Sequence, residues 1–351
     1  MFGKKHFQKN PMKISIDGGG LCAGPNNKFG NYTFTKNVIH ALLQNDKKNF
    51  YTIYSFCPMP TELYISSFWK YKILLPTRLW MKLRVSFEEY VDRKDIFLGL
   101  NQAVPMYSHA KILSFSHGLS YYYFPHLYRE SYARLSTQLI PMLKNSSHII
   151  VSSEKVKNEM KEAYPWYKHV ISIPYGIPFD MVENDKNAMK ERDHYFLFVG
   201  MNHPIKNIRF LIRCFLLFKS ERKYRHYKLV LVGANGIRVS SKDGISLIPT
   251  ISREGLKKLY QNAAGYLTAS LYESFNLPVL EALSQNCPVI GLKSAIIPEL
   301  EPYVKCVESK DTFVNEMTSI AEQNRKEIDI GQLRKTFNWK KYVMKLTKLY
   351  Q

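Results

Sequence analysis

The sequence lacks the features that would place it in several classes of protein. No apolar run reaches the roughly 18 residues that a membrane-spanning helix needs, and the basic stretch MFGKKHFQKNPMK leads into no apolar signal core. The five cysteines form no C-x-x-C pair and have no metal-like spacing with histidine. We therefore predict a cytoplasmic protein in a reducing compartment, either free or peripherally bound at the cytoplasmic face of a membrane.

Acidic residues are scarce relative to basic ones. The 29 Asp and Glu residues face 50 Lys and Arg residues, which gives a formal net charge of +21 and favours phosphates, nucleic acid or an anionic membrane as partners. A nucleic-acid-binding protein is the less favoured alternative, because the lysines are dispersed and neither zinc-finger spacing nor an RNP motif is present. We expect no nucleic-acid partner.

Acidic residues are absent between positions 70 and 84, where five Lys and Arg residues alternate with Leu79, Trp80 and Leu83. Two interpretations stay open for this stretch. It is either a basic amphipathic surface that lies on an anionic membrane, or a solvated helix face with core residues on its back.

Short apolar runs recur between helical patterns along the chain. Such alternation indicates parallel α/β layers, and 351 residues favour two domains over one. The runs are KISI at 13–16, HIIV at 148–151, YFLFVG at 195–200 and KLVLVG at 228–233.

A polar, charged segment at 179–194 is the predicted linker. It separates an N-terminal domain, residues 1–178, from a C-terminal domain, residues 195–337. The final residues, 338–351, carry Trp339, Val343, Leu346 and Leu349 at helical spacing. We predict that this last helix completes the first domain.

Glycines follow the first strand pattern in ISIDGGGLCAG. Gly18 and Gly20 open a formal G-x-G-x-x-A dinucleotide fingerprint, but residues 25–27 prolong the loop and the helix pattern starts only near Thr33. A dinucleotide loop, a structural loop, and a phosphate- or acceptor-facing loop with Gly30 at the helix entry all stay open.

The stretch FLFVGMNHPIKN predicts a strand that ends at Gly200 and a helix entered near Asn207. Lys206 lies in the turn between them. A lysine there can reach phosphates bound at the helix start, where free N–H groups and the helix dipole already favour an anion. We assign Lys206 as the cation for a leaving diphosphate.

The stretch YESFNLPVLEAL holds two carboxylates around a predicted helix start. Asn276 is the predicted N-cap, and Pro278 is tolerated in a first helical turn. Glu273 then lies in the preceding loop and Glu281 one to two turns inside the helix. The two can bind different hydroxyl groups of one extended ligand through charge-assisted hydrogen bonds.

These motifs resemble those of the retaining GT-B glycosyltransferases of the large family four, which transfer sugars from nucleotide-sugar donors. YESFNLPVLEALSQNCPVI looks like the family's Glu-x7-Glu signature, and FVGMNHPIKN looks like its phosphate-binding lysine segment. GNYTFTKNVIHAL, FSHGLSYYYFP and the closing FNWKKYVMKLTKLY follow the family's order. The resemblance implies two Rossmann-like domains that face each other across a cleft, with the C-terminal helix crossing back to the first.

The resemblance also implies roles for individual residues. Glu281 would bind the ribose, and Glu273 would hold the donor sugar with the backbone of residues 275–277. His117 would lie beside the transferred sugar, and Ile251 would meet the base through its backbone. The implied catalytic residues are His117, Lys206 and Glu273. The implied donor-binding residues are Gly30, Gly200, Asn207, Arg209, Ile251, Phe275, Asn276, Leu277 and Glu281.

The implied function is retaining transfer of a hexose, of mannose or glucose type, from a UDP- or GDP-sugar to a saccharide or lipid-linked acceptor. No metal ion or other cofactor is expected. The chain departs from the family where Ile205 stands before the lysine in place of a common basic residue, and where Ser274 and Asn276 replace common glycines. A catalytically degenerate nucleotide-sugar-binding subunit is therefore the alternative.

Overall fold

Two parallel β-sheets organise the protein in the computed structural model, which describes residues 10–24, 30–63, 67–128, 131–182, 192–322 and 328–351. The strands of the first sheet are β1 Lys13–Asp17, β2 Phe50–Ser55, β3 Trp69–Ile73, β4 Ile96–Gly99, β5 Lys111–Ser116, β6 His148–Val151 and β7 Val170–Ser172. The strands of the second are β8 Asp193–Val199, β9 Lys228–Val232, β10 Ile245–Ile248, β11 Ala263–Thr268, β12 Val289–Leu292 and β13 Lys305–Val307.

Both sheets have Rossmann-like strand orders. The first runs β3-β2-β1-β4-β5-β6-β7, and the second runs β10-β9-β8-β11-β12-β13. The pairs from β3 to β5 and all pairs of the second sheet are parallel. Strands such as β11 are buried along their whole length, which explains why they read as continuous apolar runs. The predicted α/β class is confirmed.

The helices connect these strands. They are α1 Gly30–Asn45, α2 Ser86–Val91, α3 Ser120–Tyr123, α4 Tyr132–Asn145, α5 Glu154–Ala163, α6 Ile208–Ser220, α7 Arg253–Asn262, α8 Leu277–Ser284, α9 Lys310–Ala321, α10 Ile330–Thr336 and α11 Trp339–Lys348. Serine side chains cap α5, α7 and α9, as helix N-termini favour. Among the described residues, every helix is too short or too polar to span a bilayer.

The chain forms two compact units. Residues 1–116, 137–150 and 343–351 make up the first, and residues 117–136 and 151–342 make up the second. The end of α11 thus belongs to the first unit, as the resemblance implied. Three of the four predicted apolar positions, Trp339, Val343 and Leu346, are buried, whereas Leu349 follows the end of the helix and is half-buried.

The unit boundaries differ from the predicted domain boundaries at 178 and 195. The loops after β5 and β6 belong to the second unit because their polar groups bond to the segment after β11. Leu119 donates its N–H to the Tyr272 hydroxyl, and the Ser152 hydroxyl donates to the Ser274 carbonyl.

The predicted linker, 179–194, is packed at its start. Met181 is fully buried, and its carbonyl accepts hydrogen bonds from the side chains of Ser284 and Gln285. Residues 183–191 lie outside the described residues, and β8 already begins at Asp193. The assignment of 179–194 as the linker stays a prediction.

One pair of cysteines corrects the expectation of a fully reduced chain. Cys22 and Cys57 form a disulfide with a Cα–Cα distance of 5.5 Å, whereas Cys214, Cys287 and Cys306 are not disulfide-bonded. Cys22 follows β1 and Cys57 follows β2, so two neighbouring parallel strands bring the thiols together.

The glycines after β1 have a structural role. A Cβ on Gly18 would lie 2.7 Å from the Tyr54 carbonyl oxygen, and one on Gly20 would lie 2.4 Å from the Thr35 hydroxyl. Helix α1 begins at Gly30, whereas the sequence pattern predicted a start near Thr33. The glycines open only a short 3-10 helix, Gly19–Cys22, and not the long α-helix that the dinucleotide fingerprint requires. The predicted loop residues 25–27 lie outside the described residues.

Candidate functional site

Lys206 and Glu273 meet at the carboxyl ends of two adjacent strands of the second sheet. The Lys206 Nζ lies 2.6 Å from Glu273 Oε1, and the Ser270 hydroxyl donates to the same oxygen at 2.7 Å. β8 ends just before the lysine turn and β11 just before the glutamate loop. The edge beyond the carboxyl ends of parallel strands is where α/β proteins bind ligands.

The turn that carries Lys206 is tightly fixed. β8 ends at Val199, Gly200 follows with a φ of +159°, and Asn207 is the N-cap of α6 with a φ of +50°. The Leu271 N–H donates to the Ile205 carbonyl at 2.8 Å, which ties this turn to the Glu273 loop. The predicted strand end and helix entry are confirmed.

His203 caps the same turn in its neutral form. Its Nδ1 accepts the Ile205 N–H at 3.2 Å, and its ring lies against Tyr128 with centroids 5.0 Å apart. Burial and the nearby Lys206 charge lower the pKa of His203 from its usual value. A cation next to Lys206 is thereby avoided at neutral pH.

The Glu273 loop is clamped from the α5 side. Ser152 and Ser153 both donate their hydroxyls to the Ser274 carbonyl, at 3.0 and 2.8 Å, and Lys155 donates to the Glu273 carbonyl at 3.2 Å. Burial lowers the pKa of Lys155. The backbone on both sides of the Glu273 side chain is therefore held in place.

Tyr272 joins this clamp to the loop that carries His117. Its hydroxyl donates to Glu159 Oε2 at 2.6 Å and accepts the Leu119 N–H at 2.9 Å. Gly118 has a φ of +101°, and a Cβ there would lie 2.8 Å from the Ser274 Cβ. Only glycine fits this left-handed close approach without strain, so the two loops lie in contact. The structure thus brings the His117 loop to the Glu273 loop.

Helix α8 starts where the sequence predicts, by a different mechanism. Asn276 is the N-cap with a φ of +66°, and Pro278 lies in the first turn. The Asn276 side chain makes no capping bond and donates instead to the Thr268 hydroxyl and the Ala295 carbonyl. Phe275 is buried against Tyr175, with ring centroids 4.6 Å apart. The first N–H groups of α8, at Leu277, therefore donate no hydrogen bond to the side chain of their N-cap residue.

Glu281 is buried on the first turns of α8. Only 3% of the residue is exposed. Its Oε1 lies 2.7 Å from an Arg253 guanidinium nitrogen, and its Oε2 accepts the Tyr260 hydroxyl at 3.2 Å. Arg253 also pairs with Asp180 at 2.8 Å. Although burial acts to lower the pKa of Arg253, the two carboxylates raise it overall above the ordinary value.

Four residues that position the two carboxylates were not predicted from the sequence. These residues are Lys155, Tyr272, Arg253 and Tyr260. A signal for the last two exists, because Arg253 and Tyr260 stand seven positions apart on one helical pattern and so share a face. No local pattern joins Lys155 to the Glu273 loop, since 118 residues separate them.

The remaining predicted residues are placed individually. Ile251 directly precedes Ser252, the N-cap of α7. Arg209 is exposed in the first turn of α6 and forms no ion pair within the described part of the chain. Gly30 begins α1 in the first unit, and a Cβ there would meet no atom within 4 Å. The binding roles of these residues stay predictions.

Part of the chain matches a known family of enzymes. Residues 193–323 match the family model described as glycosyl transferases group 1. This segment contains Lys206, Glu273 and Glu281.

Two bacterial proteins are similar in sequence. The chain is 25% identical over 222 residues to the O-antigen chain mannosyltransferase RfbU of Salmonella typhimurium, a match that covers 60% of this chain and 59% of that protein. It is 33% identical over 116 residues to the O-antigen chain mannosyltransferase B of Escherichia coli, which covers 30% of each. The matched region spans less than two thirds of either relative's length.

Solved structures match over nearly the whole chain. The sucrose-phosphate synthase from Thermosynechococcus elongatus has a TM-score of 0.70 at 16% identity and covers 97% of this chain and 98% of its own. The fold is GT-B. WaaG, a glycosyltransferase involved in lipopolysaccharide biosynthesis, has a TM-score of 0.66 at 12% identity, and the match covers 96% of this chain and 95% of WaaG. At these identities the likeness shows the GT-B fold alone.

Proposed function

We propose that the protein is a retaining glycosyltransferase that moves a hexose from a nucleotide-diphosphate sugar to a saccharide or lipid-linked acceptor. The observation that carries this proposal is the Lys206–Glu273 pair at the carboxyl edge of the second sheet. A cation there can neutralise a departing diphosphate while the carboxylate binds sugar hydroxyls. The match of residues 193–323 to glycosyl transferases group 1 supports the assignment.

Lys206 would stabilise the leaving group electrostatically. Charge develops on the diphosphate as the bond to the sugar breaks, and preorganised donors aimed at such charge are usually the largest contribution to catalysis. The N-terminus of α8 adds N–H groups of the kind that bind anions. Side chains and helix ends then do the work of a metal ion, so we expect a reaction that needs no metal.

Glu273 would hold the donor sugar and not attack it. Both Lys206 and Ser270 occupy its Oε1, and a carboxylate engaged this way is a poor nucleophile. Double displacement needs two carboxyl groups about 5 Å apart across the anomeric carbon. We therefore propose transfer on the same face of the sugar, with His117 beside the transferred group.

The donor we would test first carries mannose. Both bacterial relatives are named as mannosyltransferases of O-antigen chains, which favours a GDP-mannose type of donor and a saccharide acceptor. Glucose-type UDP donors stay in the panel. We also propose that the protein acts in the cytoplasm, where nucleotide sugars are the available donors.

The test combines binding and turnover. UDP-, GDP- and ADP-sugars are screened by thermal shift, because a ligand at 100 times its dissociation constant stabilises a protein by about 2.7 kcal/mol. With the donor identified, we expect Lys206→Met to lower kcat by about 10²–10³, as for a lost oxyanion-hole donor. The matched control is Lys242→Met, an exposed lysine whose side chain makes no described contact.

The outcomes separate the alternatives. Full turnover in Lys206→Met would contradict the role of the lysine. Donor binding by the wild type without any transfer or hydrolysis would favour a degenerate donor-binding subunit. We expect turnover to be unchanged by EDTA, and its loss would contradict metal-independent transfer.

A further inference from the structure

Apolar side chains are concentrated on the surface around α2. Leu79, Leu83 and Phe87 are 55%, 55% and 61% exposed. Leu83 and Phe87 stand four residues apart on a continuous helical path, because a π-helix over Trp80–Val85 runs directly into α2, and Leu79 is the N-cap of that path. We call the full set the α2 patch. It consists of Leu79, Leu83, Phe87, Tyr90, Val91, Met106 and Tyr107, all of them exposed.

The opposite side of this helix is anchored in the first unit. Trp80 is buried and donates its indole N–H to the Leu74 carbonyl. Glu89 is fully buried and accepts hydrogen bonds from the hydroxyls of Ser15 and Ser108, at 2.7 and 2.6 Å. The Ser86 hydroxyl accepts the Met106 N–H at 2.8 Å. The buried side of the helix is therefore fixed by hydrogen bonds, and the α2 patch lies on its exposed side.

The Leu79 side chain is poorly packed in the folded chain. It is more than half exposed, and its φ of +52° is a left-handed conformation. A leucine there is strained by its Cβ, which glycine would lack. Neither packing nor backbone preference within the chain accounts for a large apolar residue at this position.

Exposed cations without an ion pair occur in the same stretch of chain as most of the α2 patch. Residues 67–93 contain six Lys and Arg against three Asp and Glu. The partly buried acids Glu88 and Asp92 are paired with Lys72, at 2.7 and 2.9 Å. Among the described residues, no ion pair engages the exposed cations of this stretch, namely Lys70, Arg78, Lys82 and Arg93.

We propose that the α2 patch binds the surface of an anionic lipid membrane. Aliphatic and aromatic side chains enter the boundary between headgroups and acyl chains, while flanking lysines and arginines meet anionic headgroups. Tyr90 and Tyr107, with ring centroids 5.7 Å apart, have the amphipathic character favoured at that depth. The solvated-helix interpretation of residues 70–84 is wrong for Leu79 and Leu83, since neither is a core residue.

A second copy of the chain is the less suitable occupant. A two-fold dimer places the same patch of both subunits face to face. Two basic surfaces would then meet, and Glu88 and Asp92 could not compensate them fully because both are already paired with Lys72. Like charges across an interface are unfavourable, whereas an anionic bilayer complements them. The membrane proposal does not depend on the proposed enzymatic function.

The test is co-sedimentation of the full chain with vesicles. Phosphatidylcholine vesicles are compared with phosphatidylcholine containing phosphatidylglycerol, at low and high salt. We expect binding to the anionic vesicles alone, weakened by salt. The double variant Leu83→Ser/Phe87→Ser should bind at least about tenfold more weakly, because two apolar side chains that enter the membrane are lost. The matched control, Leu217→Ser/Met344→Ser, changes two exposed apolar residues elsewhere and should bind as the wild type does.

Leu79→Gly separates binding from folding. Glycine accepts the left-handed φ without strain, so we expect no fall in melting temperature together with weaker vesicle binding. A lower melting temperature with unchanged binding would overturn the proposal. So would wild-type binding by Leu83→Ser/Phe87→Ser, equal binding to neutral vesicles, or a wild-type dimer that this variant converts to a monomer without any vesicle binding.

Discussion

Arg253 holds the buried Glu281 carboxylate from the first turn of α7. The guanidinium reaches Glu281 and Asp180 together, so one side chain fixes two acids from distant parts of the chain. Each Glu281 oxygen keeps a second lone pair for a ligand hydroxyl. Arg253 is thus a positioning residue, and a lysine could not reproduce its forked geometry.

We expect Arg253→Ala to lower the free energy of unfolding by about 3 kcal/mol, the lower end for breaking a buried ion pair. The lower end applies because the Arg253 side chain is 35% exposed, whereas Glu281 is left buried without its cation. Arg253→Lys should recover part of the loss. Urea unfolding measures the difference. Lys258→Ala, an exposed control on the same helix, should stay within about 0.5 kcal/mol of wild type. Equal stability of the two alanine variants would contradict the anchoring role.

The side chains that carry the chemistry of the site were easier to predict from the sequence than the residues to which they bond. Lys206 and Glu273 stand 67 residues apart, yet each follows a recognisable strand, so their meeting at one sheet edge was predictable. Asn276 was predicted as a capping side chain, but it takes the left-handed region and bonds to Thr268 instead. Which neighbour a side chain selects depends on tertiary packing, which no local pattern encodes.

At the element scale, the loops that follow β5 and β11 fix one another, although the two strands belong to different sheets. Tyr272, after β11, receives the Leu119 N–H from the loop after β5 and donates to Glu159 on α5. Partial burial raises the pKa of Glu159 above its ordinary value. Through these two hydrogen bonds, the Tyr272 hydroxyl links three elements around the Glu273 loop.

Tyr272→Phe removes that hydroxyl and keeps the ring under the Lys155 ammonium, 4.3 Å from its centroid. We expect a loss of about 1–3 kcal/mol in unfolding free energy, because the buried Leu119 N–H loses its partner. If the junction positions Glu273, kcat should fall more than KM changes. Tyr132→Phe, which removes an exposed hydroxyl, serves as the control in both assays. Wild-type stability and turnover in Tyr272→Phe would rule the junction out.

Strands were easier to predict than the irregular helix at 80–85. The runs KISI, HIIV and KLVLV become β1, β6 and β9 within one residue, because buried parallel strands require continuous apolar sequence. The π-helix and its exposed leucines were not predictable. Helical spacing alone does not tell which apolar face is covered and which is left to solvent.

The closing segment belongs to a different unit from the residues that precede it in sequence. Residues 343–351 are part of the first unit. Tyr350 lies 3.5 Å from the Tyr51 hydroxyl, and the Leu349 carbonyl accepts the Lys111 ammonium at 2.8 Å. Amphipathic spacing predicted the helix, but periodicity indicates only that one face is buried. The family resemblance implied that this face packs in the first unit.

Leu346 should therefore stabilise the first unit although it lies near the end of the chain. It is fully buried, and replacing such a leucine by alanine typically costs about 2–5 kcal/mol because the cavity does not fully collapse. We expect Leu346→Ala to reduce hydrogen-exchange protection in β1 and β4 and to leave β8 and β11 unchanged. Met344→Ala, two residues away and 54% exposed, should change protection in neither sheet. Reduced protection confined to β8 and β11 would show instead that the segment stabilises the second unit.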